Sequence, residues 1–166
     1  MLAKKVEAGM NKQLAVELQS AYEYLAMSAY CESEALPGFA HWLRSQWEEE
    51  LEHAMKFYTF ICDRGGRVSF TELSQPRDKF SSPLEIFETA LQQERAVTAS
   101  IHSLYSLVDD ERDYASQAWL DWFATEQVEE EKNVGHIVDT LKKIGKSGDA
   151  LYLLDKELGA RTGDEA

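Results

Sequence analysis

Residues 48–53 read EEELEH and bring a carboxylate and an imidazole within one helical turn of each other. At about 100° per residue on an α-helix, Glu50 and His53 lie on the same face. Side chains at this spacing can both reach one metal ion. The spacing alone is weak evidence, because any acidic helix that contains a histidine offers it by chance.

The apolar pattern around Glu50 makes the motif more informative. Alternating steps of four and three residues from Glu50 reach apolar side chains in both directions: Leu43, Trp47, Ala54, Phe57 and Ile61. Glu50 therefore occupies a core position of an amphipathic helix. A lone buried carboxylate is costly unless it is paired or binds a metal, so we expect other helices to contribute to the same site.

Three further predicted helices repeat this arrangement. In each, a single carboxylate interrupts an apolar stripe near the middle of the helix: Glu17, Glu94 and Glu130. Mid-helix positions of an antiparallel bundle meet at one level, so the four acids are expected to converge. For one helix taken alone, an acid that faces solvent is an open alternative. For acids at matching depth on four helices, the same alternative would require four coincidences, which is much less expected.

Two polar residues accompany these acids on the same stripes. Gln127 lies one turn from Glu130, and Tyr24 lies seven residues after Glu17, about 10 Å along the helix axis. Four carboxylates, one imidazole and one amide suit two closely spaced cations. Oxygen-rich sites with few nitrogens favour iron or manganese over structural zinc.

A second acidic group lies beside these core positions. Glu126 and Glu129 point toward one edge of the fourth helix, and Glu49 lies on the second helix opposite them. From spacing alone, a solvated acidic face is the preferred interpretation of this group.

Turn signals divide the chain into four long helices and a short fifth. The first helix is predicted over about 5–34, and Pro37-Gly38 break the pattern before the second, which ends near Arg64. Residues 65–82 lack helical periodicity, and at about 3.3 Å per residue they can cross the full length of a bundle. This crossover would set the third helix parallel to the second.

Capping signals bound the remaining helices. Ser82, Pro83 and Glu85 form the start of the third helix, with Ser82 as cap. A polar turn over 109–113 precedes the fourth helix, which ends at 145–148. A short apolar helix is predicted over about 149–158, and it is too short to be stable alone.

Composition excludes several functions. The chain has 166 residues, is 44% hydrophobic and carries a formal net charge of −13. This acidity argues against nucleic acid and anionic membranes as partners and suits a surface that attracts cations. From net charge alone, however, ordinary solubility is the preferred explanation. No run reaches the length of a membrane span, and no signal core is present. Cys31 and Cys62 are predicted to be buried free thiols, which favours the cytoplasm.

With these residues in place, the chain resembles bacterial non-haem ferritins over nearly its whole length, as a single domain over 1–166. The matching motifs are distributed over four helices: Glu17 with Tyr24, Glu49-Glu50-x-x-His53, Glu94, and Glu126-Gln127-x-Glu129-Glu130. The implied fold is an all-α ferritin-like four-helix bundle, with the long crossover between helices two and three and the short C-terminal helix.

The resemblance implies a ferroxidase centre. Glu17, Glu50 and His53 would hold one iron, and Glu50, Glu94 and Glu130 the other, with Glu50 bridging and Gln127 close by. Glu49, Glu126 and Glu129, with Glu130, would form a third iron site, which reverses the preference for a solvated face. Tyr24 would lie beside the centre, able to supply an electron. Iron storage in a hollow shell of twenty-four subunits follows, with Fe(II) and O₂ or hydrogen peroxide as reactants.

Two departures from related families point to the non-haem branch. Bacterioferritins have a second Glu-x-x-His motif on the fourth helix, but here Asn133 follows Glu130. Their haem-binding methionine is replaced by Leu51, so no haem is expected. Two other functions stay open at this stage: a di-iron peroxidase of stress defence that stores nothing, and a helical scaffold whose core acids bind no metal.

Overall fold

In a computed structural model, which describes residues 2–161, the secondary structure consists of α1 (Lys4–Ser33), α2 (Pro37–Asp63), α3 (Pro83–Asp110), α4 (Tyr114–Ile144) and α5 (Gly148–Gly159). No strand occurs in this range. None of the helices formed by residues 2–161 has the length and apolarity needed to cross a membrane. The all-α prediction, with four long helices and a short fifth, is confirmed.

Contacts between helices establish the topology. The N-terminal end of α1 meets the C-terminal end of α2 where Leu2 N donates to Arg64 O, so these helices are antiparallel. α1 is also antiparallel to α3, since Ser100 donates to Gln13 and Gln93 to Ser20. It follows that α3 runs parallel to α2, as predicted from the long crossover.

The crossover is held along α1 by side chains spaced down that helix. Asn11 donates to Arg67 O and accepts from Ser69 N. Gln19 makes the same two-way contact with Ser74. These side-chain amides bond to crossover backbone groups that have no partner in a helix or strand. They therefore fix the path that returns the chain to the start of α3.

Helix ends follow the predicted chemistry. Ser82 accepts a hydrogen bond from Glu85 N at the start of α3. At the end of α2, Gly65 has φ +70°, and the N–H groups of Gly65 and Gly66 donate back to Cys62 O and Ile61 O. This is a Schellman arrangement, which favours glycine because one of its positions requires a positive φ.

The core is divided into two apolar clusters. One contains Phe39, Phe87 and Leu141, and the other contains Met10, Phe57 and Phe123. The predicted acids lie between them at mid-helix. The site is therefore a polar layer enclosed by apolar packing at both ends of the bundle.

Two sequence predictions are wrong in detail. Pro37 and Gly38 belong to the first turn of α2 instead of preceding it, because proline is well tolerated at the first helical position. Cys62 is exposed whereas Cys31 is buried: Cys62 lies one residue, about 100° around the helix, from Ile61, which faces the core. Burial raises the pKa of the Cys31 thiol to about 12.

Candidate metal centre

The polar layer brings together residues from all four long helices. All of the residues predicted for the two-metal site are buried: Glu17 and Tyr24 from α1, Glu50 and His53 from α2, Glu94 from α3, and Gln127 and Glu130 from α4. Periodicity predicts a core stripe position for all of these residues except His53, which is predicted from its spacing to Glu50, and the predicted burial is confirmed.

One half of the layer is formed by α1 and α2. Potential ligand atoms of Glu17, Glu50 and His53 all lie within 4.8 Å of one another. His53 Nδ1 is 3.3 Å from Glu50 Oε2. Two carboxylates and an imidazole at this separation can surround one cation.

The other half is formed around Glu94. The Tyr24 hydroxyl donates to Glu94 Oε1. Gln127 Nε2 lies 3.2 Å from Glu94 Oε2 and 3.3 Å from the Glu94 carbonyl oxygen. Tyr24 and Gln127 thus both orient the Glu94 carboxylate.

Three buried polar residues that the sequence analysis did not single out orient the other acids. Gln13 Nε2 donates to Glu17 Oε1 at 2.9 Å. Ser20 Oγ donates to Glu50 Oε1 at 2.8 Å, and Gln46 Nε2 donates to Glu130 Oε2 at 2.9 Å. Gln13 precedes Glu17 by four residues, and Gln46 precedes Glu50 by four, so a search for polar residues one turn from each core acid would have found these two.

The layer also contains carboxylate oxygens without donors. Glu17 Oε2 and Glu50 Oε2 are buried and have no hydrogen-bond partner within residues 2–161. Buried charged oxygens are normally paired or bound to a metal. Glu17 and Glu50 are also two of the three residues in the group of potential ligands with His53, so the donor set fits a cation.

Burial raises the pKa of the core carboxyls. For Glu17, Glu50 and Glu130 the pKa lies well above the usual value, first because of desolvation and then because of neighbouring carboxylates. Desolvation also raises the pKa of Glu94, against the lowering effect of its hydrogen bond from Tyr24. Without a cation, burial therefore shifts these groups toward the protonated form, whereas two divalent ions would balance four carboxylates.

The outer acidic group is only partly assembled. Glu126 is half-buried, and its carboxylate lies within 4.8 Å of potential ligand atoms of His53 and Glu130. Glu49 is instead ion-paired with Arg161, with Nη2 to Oε1 at 2.9 Å. Glu129 is exposed and joins no such group of three in the described part of the chain.

Aromatic rings cover the His53 side of the layer. Trp122 lies edge-on to the imidazole at a centroid distance of 5.4 Å, and Phe123 lies at 5.9 Å. Trp122 is nevertheless 40% exposed. This ring therefore separates the centre from the surface of the subunit.

A four-helix bundle with a buried layer of four glutamates and one histidine is the arrangement found in carboxylate-rich metal-binding proteins. Residues 7–144 match the family described as Ferritin-like domain. The chain belongs to the ferritin family.

Full-length relatives agree with this assignment. The chain is 42% identical over 165 residues to a protein named bacterial non-heme ferritin from Staphylococcus aureus (strain USA300), with 99% of each chain covered. A protein of the same name from Staphylococcus epidermidis (strain ATCC 12228 / FDA PCI 1200) has the same identity and coverage.

Solved structures are equally similar. An open pore ferritin from the hyperthermophilic archaeon Archaeoglobus fulgidus superposes with a TM-score of 0.96 at 42% identity, covering 97% of this chain and 98% of that one. An engineered closed form of the Archaeoglobus fulgidus ferritin gives the same TM-score and identity, covering 98% and 99%.

Proposed function

We propose that this protein stores iron and oxidises it on entry. It would bind Fe(II) in the buried acidic layer, oxidise it with O₂ or hydrogen peroxide, and pass Fe(III) to a mineral inside a hollow homo-oligomeric shell. The observation that carries the proposal is the pair of buried carboxylate oxygens, Glu17 Oε2 and Glu50 Oε2, that have no donor within residues 2–161. Membership of the ferritin family supports it.

The proposed ligands divide into two sets that share Glu50. Glu17, Glu50 and His53 would hold one Fe(II), and Glu50, Glu94 and Glu130 would hold the second. Glu50 is proposed as the shared ligand because its carboxylate lies within 4.8 Å of potential ligand atoms of Glu17 and His53. On its other side, Glu94 and Glu130 are near enough that their charges add to burial in raising the pKa of Glu50.

The reaction balances with two irons as substrate. Each Fe(II) gives one electron, and O₂ takes up two electrons and two protons to become hydrogen peroxide. If hydrogen peroxide is the oxidant, the same two electrons and two protons give two waters. The protein contributes oxygen ligands, fixed separation and a site closed to bulk water.

Tyr24 and Gln127 are proposed to assist as catalytic residues. The Tyr24 hydroxyl donates to Glu94, and burial, followed by the Glu94 charge, raises the pKa of the phenol well above its usual value. Tyr24 is thus held protonated against a ligand of the second iron, where it can supply an electron. Gln127 fixes the orientation of the same carboxylate.

Glu49, Glu126 and Glu129 are proposed to form a third iron site together with Glu130. Support is strongest for Glu126, whose carboxylate lies near Glu130 and His53. The site would receive iron on the way from the two-metal centre to the cavity.

A shell of twenty-four subunits is the proposed assembly. Large apolar side chains are exposed on α1, on the crossover and on α5: Tyr22, Leu25, Phe70, Tyr152 and Leu153. Contact with further subunits would cover them. The whole chain, 1–166, is proposed as one ferritin-like domain without haem, and its two free cysteines suit a reducing cytoplasm.

Sedimentation before and after iron loading tests the proposal. The protein without iron should sediment as a particle many times the 18.9 kDa mass of one chain, and stepwise aerobic addition of Fe(II) should make it denser without changing its radius. A monomer would contradict the shell. An intact shell that consumes hydrogen peroxide but retains no mineral would indicate a peroxidase, and one that neither binds nor oxidises Fe(II) would indicate a scaffold.

A further inference from the structure

The guanidinium of Arg161 lies on the outer acidic group. Its Nη2 donates to both carboxylate oxygens of Glu49, at 2.9 and 3.2 Å, and Nη1 donates to Gln46 Oε1 at 2.6 Å. The side chain is only 8% exposed. The planar guanidinium thus bridges two acceptors, Glu49 and Gln46, a geometry that its fork of N–H donors matches.

The docking of α5 on α2 brings Arg161 to this position. Asp155 Oδ1 accepts hydrogen bonds from Gly38 N and Phe39 N at the start of α2. His41 Nε2 lies 2.9 Å from the Arg161 carbonyl oxygen. Backbone and side chain of Arg161 are thus both anchored to α2.

The contact continues to a proposed iron ligand through Gln46. Because the amide oxygen of Gln46 accepts from Arg161, its nitrogen faces the other way and donates to Glu130 Oε2. Gln46 is fully buried. Arg161 thereby influences Glu130, which the two-metal centre and the third site would share, without touching it.

We infer that Arg161 is an internal counter-cation that competes with metal for Glu49 and so makes the third site the last to fill. The inference rests on the proposed function, since it assigns regulation to that third site. A metal ion bound between Glu49 and Glu130 must displace the guanidinium, because two positive charges on the Glu49 carboxylate would repel each other at close range. Within residues 2–161, the Arg161 side chain makes no hydrogen bond or ion pair with the ligands proposed for the first two ions: Glu17, Glu50, His53, Glu94 and Glu130.

The surrounding structure gives the displaced side chain a place to go. Arg161 lines a groove of about 470 Å³, together with Trp42, Lys132, His136 and Glu157. The guanidinium already stacks over Trp42 at 5.0 Å. Release from Glu49 therefore needs no unfolding of α5.

Zinc titration of the assembled protein tests this inference, since Zn(II) reports binding without oxidation. We expect Arg161→Ala to bind the third Zn(II) at least about tenfold more tightly than the parent. The affinity of the first two ions should change less, because Arg161 reaches Glu130 only through Gln46. Arg161→Lys keeps the positive charge but loses the two-way guanidinium fork, so its affinity for the third Zn(II) should lie between those of the parent and Arg161→Ala. Arg44→Ala, which removes an exposed arginine from the same helix as Glu49, should match the parent.

A measurement on the unmodified chain covers the case in which Arg161→Ala fails to assemble. Crystals of the parent soaked with Zn(II) should show the Arg161 guanidinium on Glu49 while two ions are bound per subunit, and displaced from Glu49 once the third site is filled. A guanidinium that stays on Glu49 beside a filled third site, or an unchanged third affinity in Arg161→Ala, would overturn the inference while leaving the two-metal centre intact. Failure of the parent to bind the first two ions would instead count against the proposed function.

Discussion

His53 Nδ1 lies 3.3 Å from Glu50 Oε2, one turn apart on α2, and both side chains are buried. The other oxygen, Glu50 Oε1, accepts from Ser20 at 2.8 Å. Glu50 is thus held by one donor and presents its second oxygen toward the imidazole. This geometry suits a carboxylate that bridges two cations.

Glu50→Ala should abolish the fast phase of Fe(II) oxidation, because Glu50 is the only ligand proposed to touch both irons. Loss of hydrogen-bond partners of metal ligands alone typically costs 10–100-fold, so removal of the bridge should cost at least about 100-fold. Rapid-mixing absorbance with Fe(II) and O₂ measures this phase.

Glu52→Ala is the matched control for this variant. It removes a glutamate from the same helix, but Glu52 is exposed, so its fast phase should stay within a factor of two or so of the parent. Both variants should keep their helical circular dichroism. A normal fast phase in Glu50→Ala would remove Glu50 from the centre.

Stability of the metal-free protein should fall as pH rises from about 5 to about 8. Burial raises the pKa of Glu17, Glu50, Glu94 and Glu130 above the unfolded value of 4.5, so the native state binds more protons than the unfolded chain. Stability is then greatest below the unfolded pKa and is lost toward the folded pKa, with a slope of about 1.4 kcal/mol per pH unit for each extra proton held.

Calorimetric unfolding of the metal-free protein across this pH range checks whether its stability falls as pH rises. Saturation with Zn(II) should reverse the trend, because metal binding requires deprotonated ligands. Addition of Zn(II) near pH 6 should also release protons into weakly buffered solution. A metal-free protein whose stability increases from pH 5 to 8 would contradict the assigned burial effect.

The sequence predicted most of the fold and the central acids because both depend on periodicity. Glu17, Glu50, Glu94 and Glu130 were recognisable as polar interruptions of apolar stripes, and His53 by its spacing from Glu50. The same logic fails for a residue just beside a stripe. Cys62 was assigned to the core although Ile61, its neighbour, takes that position.

Contacts between helices were harder to predict, because they depend on rotation and register. Ser20 reaches Glu50 across the α1–α2 interface, and nothing in either helical pattern specifies that pairing. Arg161 lies beyond the last periodic element, and its partner Glu49 is 112 positions away. Spacing rules apply within one helix, so they carry no information about such a pair.

Gly38→Ala should destabilise the protein by about 2 kcal/mol or more and loosen α5. A Cβ at Gly38 would lie 1.6 Å from the Asp155 carbonyl oxygen, which is backbone and cannot give way. Gly135→Ala is the control, since a Cβ there has no neighbour within 4 Å in the described structure, and alanine in a helix interior should stabilise by about 0.5–1 kcal/mol. Chemical denaturation of both variants, with hydrogen exchange of α5, measures the difference; equal stabilities would show that α5 does not pack on Gly38.

Glu126→Ala should weaken the third metal more than Glu129→Ala does. The Glu126 carboxylate lies within 4.8 Å of potential ligand atoms of His53 and Glu130, whereas Glu129 is exposed and must reorient before it can bind. The two variants remove the same charge from the same helix, so net charge cannot explain a difference between them. Zn(II) titration should show at least about a tenfold loss of third-site affinity for Glu126→Ala and a smaller loss for Glu129→Ala, with two ions still bound tightly in both. If Glu129→Ala had the larger effect, the third metal would lie toward the exposed edge of α4, away from Glu130.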